Sequence, residues 1–326
     1  MHAVIARNQQ LVDETLTDPT PLPHDVVVAV DAVAINPHDV KALARVTGDD
    51  QQVFGYDAVG RVVAMGDQAQ KYQVGDRIMY AGSAVRPGAW AEQEAVDERL
   101  TALVPDALTD WAPLAGMPLT SLTAWEILFD KVGFIPAADA NLGRSVLVLN
   151  GAGGVGSILS QLAHWAGIKV YATASPRHYD WLRQNGVDVT LDYHEDLEAQ
   201  MAGTTVDATI NLMGVDQYLT ESVHLTRPFG HIVNVGGNDD HFPIRRLQSR
   251  AQSLDWELMF TKSKYGYELD SQGEILSHVL QLLVDGTIHH TTTTIIRGGI
   301  DAAHLNQART QLETGHQAGK IVITRA

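Results

Sequence analysis

Three glycines at fixed spacing carry the first chemical signal. Gly151, Gly153 and Gly156 stand in the run Asn150-Gly151-Ala152-Gly153-Gly154-Val155-Gly156, directly after the apolar stretch Val146-Leu147-Val148-Leu149. Such a run can cradle a phosphate. Gly151 permits the tight turn out of a strand and Gly153 lets the backbone approach a pyrophosphate closely. Gly156 lets a helix pack against the strand while its first amides, at Gly154 and Val155, face the anion. The pattern alone is weak evidence. Here an unbroken apolar strand precedes it and Ser157-Ile158-Leu159-Ser160-Gln161-Leu162-Ala163 continue as a helix, which is the context a dinucleotide site requires.

The next strand, Lys169-Val170-Tyr171-Ala172-Thr173-Ala174, speaks to which dinucleotide. An NAD site usually ends this strand with an Asp or Glu that binds the ribose hydroxyls. Ser175-Pro176-Arg177-His178 follow instead, with no carboxylate among them. A hydroxyl, a guanidinium fork and an imidazole suit a ribose 2′-phosphate, so the expected cofactor is NADPH rather than NADH.

These pieces need a scaffold, and composition bounds it. At 326 residues with 45% hydrophobic content the chain is long enough for two domains with a core each. A formal charge of −16 argues against nucleic acid or an anionic membrane surface as the main partner. The absence of cysteine excludes disulfides, thiolate metal ligands and a cysteine nucleophile together. No stretch reads as a signal peptide or a membrane span, so a cytoplasmic location is expected.

From about 145 to 260 apolar strands alternate with helical segments, the pattern of a doubly wound parallel sheet. Strands are predicted at 145–150, 169–174, 189–192, 207–213, 231–235 and 254–260. Helices are predicted from Val155 and from Asp216 to Thr226, the second ended by Arg227-Pro228-Phe229-Gly230. The first 115 or so residues carry short β-branched runs broken by turns, which suggests a compact β-barrel. Beyond 262 a helix at 272–284, a strand at 291–296, a helix at 302–314 and a closing strand at 320–324 are expected.

A set of short motifs spans nearly the whole chain: Asn36-Pro37-His38-Asp39-Val40-Lys41, Gly55-Tyr56-Asp57-Ala58-Val59-Gly60, Val74-Gly75-Asp76-Arg77, Gly88-Ala89-Trp90-Ala91-Glu92, Leu122-Thr123-Ala124-Trp125-Glu126, the glycine run and Gly319-Lys320-Ile321-Val322. In order and spacing it resembles the medium-chain dehydrogenases/reductases, in particular their zinc-independent quinone oxidoreductase branch. The resemblance implies an α/β protein. A GroES-like catalytic domain would be built from residues 1–120 and 262–326, with a Rossmann cofactor domain inserted at 121–261. It further implies that Tyr193 joins Ser175, Arg177 and His178 around the 2′-phosphate, that Asn234 and Gly236 lie near the nicotinamide, and that Lys320 serves the cofactor. A homodimer paired through the last cofactor-domain strand, around Leu254 to Phe260, is expected as well.

Zinc enzymes of that superfamily bind the catalytic metal with Cys, His and Cys or Asp. The matching positions read Asn36, Gly55-Tyr56-Asp57 and a site near Leu119, so no metal site is expected. His38 lies nearest, and a lone histidine there reads as a hydrogen-bonding or surface residue. Without a Lewis acid the suitable substrate is already electron-poor, a quinone or an α,β-unsaturated carbonyl. Asn36 and Lys41 are the expected donors to its oxygen. Asp39 positions Lys41 or the local turn. Tyr56 either contacts substrate, with its phenol as a proton donor, or fills space, in which case solvent supplies the proton. Two rival readings are an alcohol dehydrogenase with an unrecognised metal site and a non-catalytic NADPH-binding sensor.

Overall fold

The computed structural model describes residues 1–48, 50–214, 217–236 and 243–325. The chain divides into two compact units, Met1–Leu122 with Met259–Ala326, and Thr123–Leu258.

In the second unit six strands form one sheet: β9 (Ser145–Leu149), β10 (Lys169–Ala174), β11 (Val189–Asp192), β12 (Val206–Asn211), β13 (Thr226–Asn234) and β14 (Ser253–Trp256). Their order is β11-β10-β9-β12-β13-β14, and every pairing is parallel. This is the doubly wound arrangement, and its order reverses between β9 and β12. A parallel strand covered on both faces has no polar side, which is why Val146, Leu147, Val148 and Leu149 are all fully buried. The helix Gly154–Trp165 leaves the end of β9 and buries Ile158, Leu159 and Leu162.

Two expectations for this unit need correction. The helix expected to start at Asp216, a residue outside the described set, is seen from Leu219 to Leu225, and Thr226 already begins β13. The Arg227-Pro228-Phe229-Gly230 run is therefore a bulge inside a strand rather than a loop before one. Pairing with β12 jumps from Val206↔Thr226 to Ala208↔His231 across it. Pro228 has no ladder donor, Phe229 has φ +59° and is exposed, and a Cβ on Gly230 would fall 2.5 Å from Thr226 Cγ2. The second correction is at the sheet edge. β14 stops at Trp256 rather than 260, because Phe260 opens a short helix, Phe260–Tyr265.

The first unit is mainly antiparallel β-structure. Its strands are β1 (His2–Arg7), β2 (Gln10–Thr15), β3 (Asp25–Ala34), β4 (Gln51–Val53), β5 (Ala58–Met65), β6 (Arg77–Tyr80), β7 (Gln93–Asp97), β8 (Thr101–Leu103), β15 (Thr292–Arg297) and β16 (Lys320–Thr324). They form a sheet of order β15-β16-β3-β5-β6-β8, with β7 also on β3, and a smaller one of order β2-β1-β4. Two register shifts on β3, at Val27/Val28 and Val30/Ala32, bend this ten-residue strand so that it serves β5, β7 and β16 together. The C-terminal strand β16 thus completes a unit begun near the N-terminus, with Val322 opposite Ala34. Among the described residues no helix is long and apolar enough to cross a membrane.

Candidate functional site

In the first unit three strand ends converge. β16 and β5 both run antiparallel to β3, so the start of β16 (Lys320), the start of β5 (just after Asp57) and the end of β3 (just before Asn36) meet. Asn36 precedes Pro37, which favours an extended backbone, and it sits at φ −123°, ψ 153° as the N-cap of the helix Pro37–Leu43. At the third helical position Asp39 accepts the Asn36 backbone N–H at 2.7 Å. The Asp39 carboxylate therefore supports the local turn. Lys41, two residues on along the same helix, is exposed and has no hydrogen bond to this cluster among the described residues.

Asn36, Asp39, Asp57 and Lys320 are all at least 95% buried. The Lys320 ammonium donates to Ile35 O at 3.1 Å, to Asp57 Oδ2 at 2.9 Å and to Asn36 Oδ1. Asn36 Nδ2 donates to Asp57 Oδ2 at 2.9 Å, and the Leu119 backbone N–H to Asp57 Oδ1 at 2.7 Å. Lysine has three N–H donors, and all three are satisfied here. Lys320, expected to serve the cofactor, is instead committed to the interior of its own unit. The Asn36 amide, expected as a substrate donor, is fixed in orientation by two charged neighbours, with one N–H left over.

Burial pushes the Asp57 carboxyl above its ordinary range, and the charge of Lys320 with hydrogen bonds from Leu119, Asn36 and Lys320 offsets only part of this. Burial likewise pushes Asp39 up to about 7; the Asn36 N–H and the Lys320 charge pull down, and the Asp57 charge pushes up. Beside this cluster lies an aromatic group. Tyr56 is buried, its ring 5.0 Å from Phe260 and 5.6 Å from His38, and His38 is 4.7 Å from Phe260. Burial raises the Tyr56 phenol further, helped by the charges of Asp39 and Glu94, so it stays protonated and is a weak acid. Burial, with Arg45 and Lys41 nearby, lowers His38, which is neutral at pH 7. Phe260 was missed in the sequence, where it reads as the end of a strand.

The donor set here does not fit zinc. The resemblance puts the metal's ligands at Asn36, at Tyr56 and near Leu119; here Asn36 binds Asp57 and Lys320, Tyr56 packs among aromatic rings, and the Leu119 N–H binds Asp57. Among the described residues no three His, Cys, Asp or Glu side chains are gathered as a metal site.

In the second unit the glycine run holds its place by close contact. A Cβ on Gly156 would lie 2.6 Å from Asn150 O and from two Gly151 atoms, and one on Gly151 would lie 2.7 Å from Ala172 Cβ. Gly153 is different: its Cβ would meet nothing nearer than 3.4 Å. Packing within the unit does not demand a glycine there, whereas a phosphate approaching the backbone would. Past β10 the Ser175 hydroxyl is 3.0 Å from the Tyr193 hydroxyl, and Arg177 Nε donates to His178 Nε2 at 3.2 Å. Asn234, ending β13, is fully buried, and among the described residues neither its Nδ2 nor its Oδ1 has a partner. Gly236 follows two residues later at a half-buried position. These features fit a dinucleotide. Gly151, Gly153, Gly154, Val155 and Gly156 would hold its pyrophosphate, and the orphaned Asn234 amide awaits a polar partner.

Residues 154–266 match the family model of zinc-binding dehydrogenases, and residues 22–106 match that of the alcohol dehydrogenase GroES-like domain. A zinc-type alcohol dehydrogenase-like protein of Staphylococcus epidermidis is 34% identical over 94% of this chain and 92% of its own length. A structure from Rhizobium etli, provisionally called a zinc-dependent alcohol dehydrogenase, is 35% identical with a TM-score of 0.92, covering 99% of this chain and 98% of that one. A mycobacterial protein solved in complex with NADPH is 25% identical with a TM-score of 0.84, covering 99% of both chains. The fold and these matches define an oxidoreductase with a GroES-like domain and a nicotinamide-binding domain. The chain belongs to the medium-chain dehydrogenase/reductase family.

Two measurements test the buried cluster. Removing one partner of a buried ion pair costs about 3–5 kcal/mol, so Lys320→Met should lower unfolding free energy in urea by that order. A loss under about 1 kcal/mol would show that the pair is not what secures β16. Asp39 has its pKa raised from 3.8 unfolded to about 7 folded, so the folded state holds the proton more tightly. Its ionisation therefore removes stability as pH rises between those values. Asp39→Asn, measured against wild type by thermal melting, should gain relative stability from pH 5 to pH 8; a difference independent of pH would refute the assignment.

Proposed function

We propose that the protein is an NADPH-dependent reductase of quinones or α,β-unsaturated carbonyls that works without a metal. The observation that carries this reading is the filled metal position. Where the resemblance places zinc ligands, this chain has Asn36 and Tyr56 with no cysteine or histidine, and Asn36 is already engaged with Asp57 and Lys320. An unactivated alcohol or aldehyde then lacks its Lewis acid, which is worth several kcal/mol to such a reaction. An acceptor that delocalises charge onto its own oxygen does not need one. The motif resemblance to the quinone oxidoreductase branch points the same way.

NADPH supplies the hydride when bound. The protein's part is to bind, orient and stabilise. The amides of Gly154, Val155 and Gly156 hold the pyrophosphate, and Ser175, Arg177, His178 and Tyr193 receive the 2′-phosphate. The remaining Asn36 N–H and the exposed Lys41 ammonium are the donors to the acceptor oxygen, one oriented by Asp57 and Lys320 and the other mobile. Tyr56 remains a neutral phenol, so solvent is the better source of the final proton. In solution two copies pair along β14, an edge strand where Trp256 is exposed.

Loss of reduced-nicotinamide absorbance with a quinone, an enone and a simple aldehyde, in the presence of a strong chelator, tests the reaction class. Turnover of the quinone or enone with the aldehyde inert is expected. Aldehyde turnover abolished by chelator would overturn the proposal. Cofactor choice is tested by Arg177→Gln, which should weaken NADPH binding about tenfold or more, the loss of a charged hydrogen bond, while leaving NADH unchanged. Equal weakening of both cofactors would remove the 2′-phosphate role.

A further inference from the structure

The second unit contains a cavity of about 270 Å³ remote from the glycine run, lined among others by Phe134, Ile135, Leu142, Arg144, Asp207 and Arg227. Arg144 immediately precedes β9, while Asp207 and Arg227 are the second residues of β12 and β13. In a parallel sheet these are the N-terminal strand ends, whereas the glycine run leaves the C-terminal end of β9. Five residues of strand, about 16 Å, separate the two.

The charges in this cavity do not balance. Asp207 is buried, and its carboxylate accepts from Arg144 Nη1, Arg227 Nε and the Ser145 N–H, each at 2.9 Å. Burial alone would raise Asp207, but hydrogen bonds from Arg227, Ser145 and Arg144 outweigh it and hold the group below the usual carboxylate range. One carboxylate thus serves two guanidiniums, an excess of one positive charge among these three groups, while His231, also in the lining, has its own partner in Asp255 at 3.1 Å. Each guanidinium carries five N–H donors, of which Arg144 directs one to Asp207 and Arg227 directs one to Asp207 and one to Pro228 O. A guanidinium presents its donors in a planar fork that matches a carboxylate, and both side chains line the cavity. Beside it stand Ile135 and Leu142, 58% and 76% exposed, with Phe134 beneath. Large apolar side chains so exposed next to a cationic cavity are surface that a ligand would cover.

We propose that this cavity is a second ligand site, for a small organic monoanion. Its carboxylate meets the guanidiniums of Arg144 and Arg227, and its short apolar tail lies against Phe134, Ile135 and Leu142. A dianion fits less well, because two negative charges would face a single net positive one with the Asp207 carboxylate close by. The cavity is close to the small end of ligand pockets, roughly 300–1,000 Å³, which limits the tail to a few carbons.

Hexanoate is a suitable probe, titrated into the full-length protein by calorimetry with and without saturating NADPH. One site per chain is expected, its affinity unchanged by NADPH, with hexanol and inorganic phosphate each about tenfold weaker or more. Arg144→Gln and, separately, Leu142→Glu should each weaken hexanoate about tenfold. Leu142 is exposed, so its substitution tests the site even if loss of Arg144 unfolds the chain by stranding Asp207. Absence of hexanoate binding, equal affinity for hexanol or for phosphate, competition by NADPH, or indifference to Leu142→Glu would each overturn the proposal.

Discussion

A lysine ammonium in the interior of a β-unit is tolerable only if every one of its donors finds an acceptor, and that requirement organises the first unit of this protein. Lys320 opens the last strand, Asn36 follows β3 and Asp57 immediately precedes β5. Their mutual bonds tie together segments 263 to 285 residues apart in sequence. A one-residue slip of β16 would turn Lys320 to the opposite face and leave Asp57 as an uncompensated buried charge. The pair thus selects the register in which β16 closes on β3, over and above the burial of Ile321, Val322 and Ile323.

The same cluster has a chemical consequence. A zinc ion brings two positive charges and an open coordination position; Lys320 brings one charge and no open position, because Asn36, Asp57 and Ile35 O take all its donors. The electrostatic field at this point is therefore fixed in the structure and cannot be lent to a substrate by direct coordination. What it can do is orient. Asn36 has its carbonyl on the ammonium and one amide N–H on the carboxylate, so its amide cannot flip without placing like against like. The raised pKa of Asp39 belongs to the same field, with two carboxylates sharing the neighbourhood of one cation.

Much of this was legible in the sequence, and the divisions are physical. The glycine run and strands 169–174, 189–192 and 320–324 could be read because each strand is a short run rich in β-branched and apolar residues set between turns, a local signal. The bulge at 227–230 could not, since proline and glycine stop a helix and deform a strand by the same local means. Phe260 misled for a related reason. The run Leu258-Met259-Phe260 continues the apolar character of β14, yet Phe260 packs on Tyr56 and His38, partners more than 200 residues earlier. Lys320 is the clearest case. The family resemblance alone pointed it to the cofactor, whereas its partnership with Asp57 depends on strand register, which no local pattern encodes.

Asn234 shows how an unsatisfied group can be informative in a fold where others are closed. A buried amide without partners costs about 1–3 kcal/mol for each group left unpaired. Thr209 and Thr226, in the same pair of strands, satisfy each other at 2.7 Å, and Asn211, its neighbour on β12, binds Gly214 O and the Met213 N–H. Asn234 alone of these four keeps both polar atoms idle, at the C-terminal strand ends beside the point where the sheet order reverses. The glycine run leaves the same end of the sheet, and its Gly153 is a glycine without a steric reason inside the unit. A missing hydrogen-bond partner and an unused space at one end of one sheet have a common explanation in the dinucleotide proposed above, whose polar ring and phosphates would lie across the strand ends.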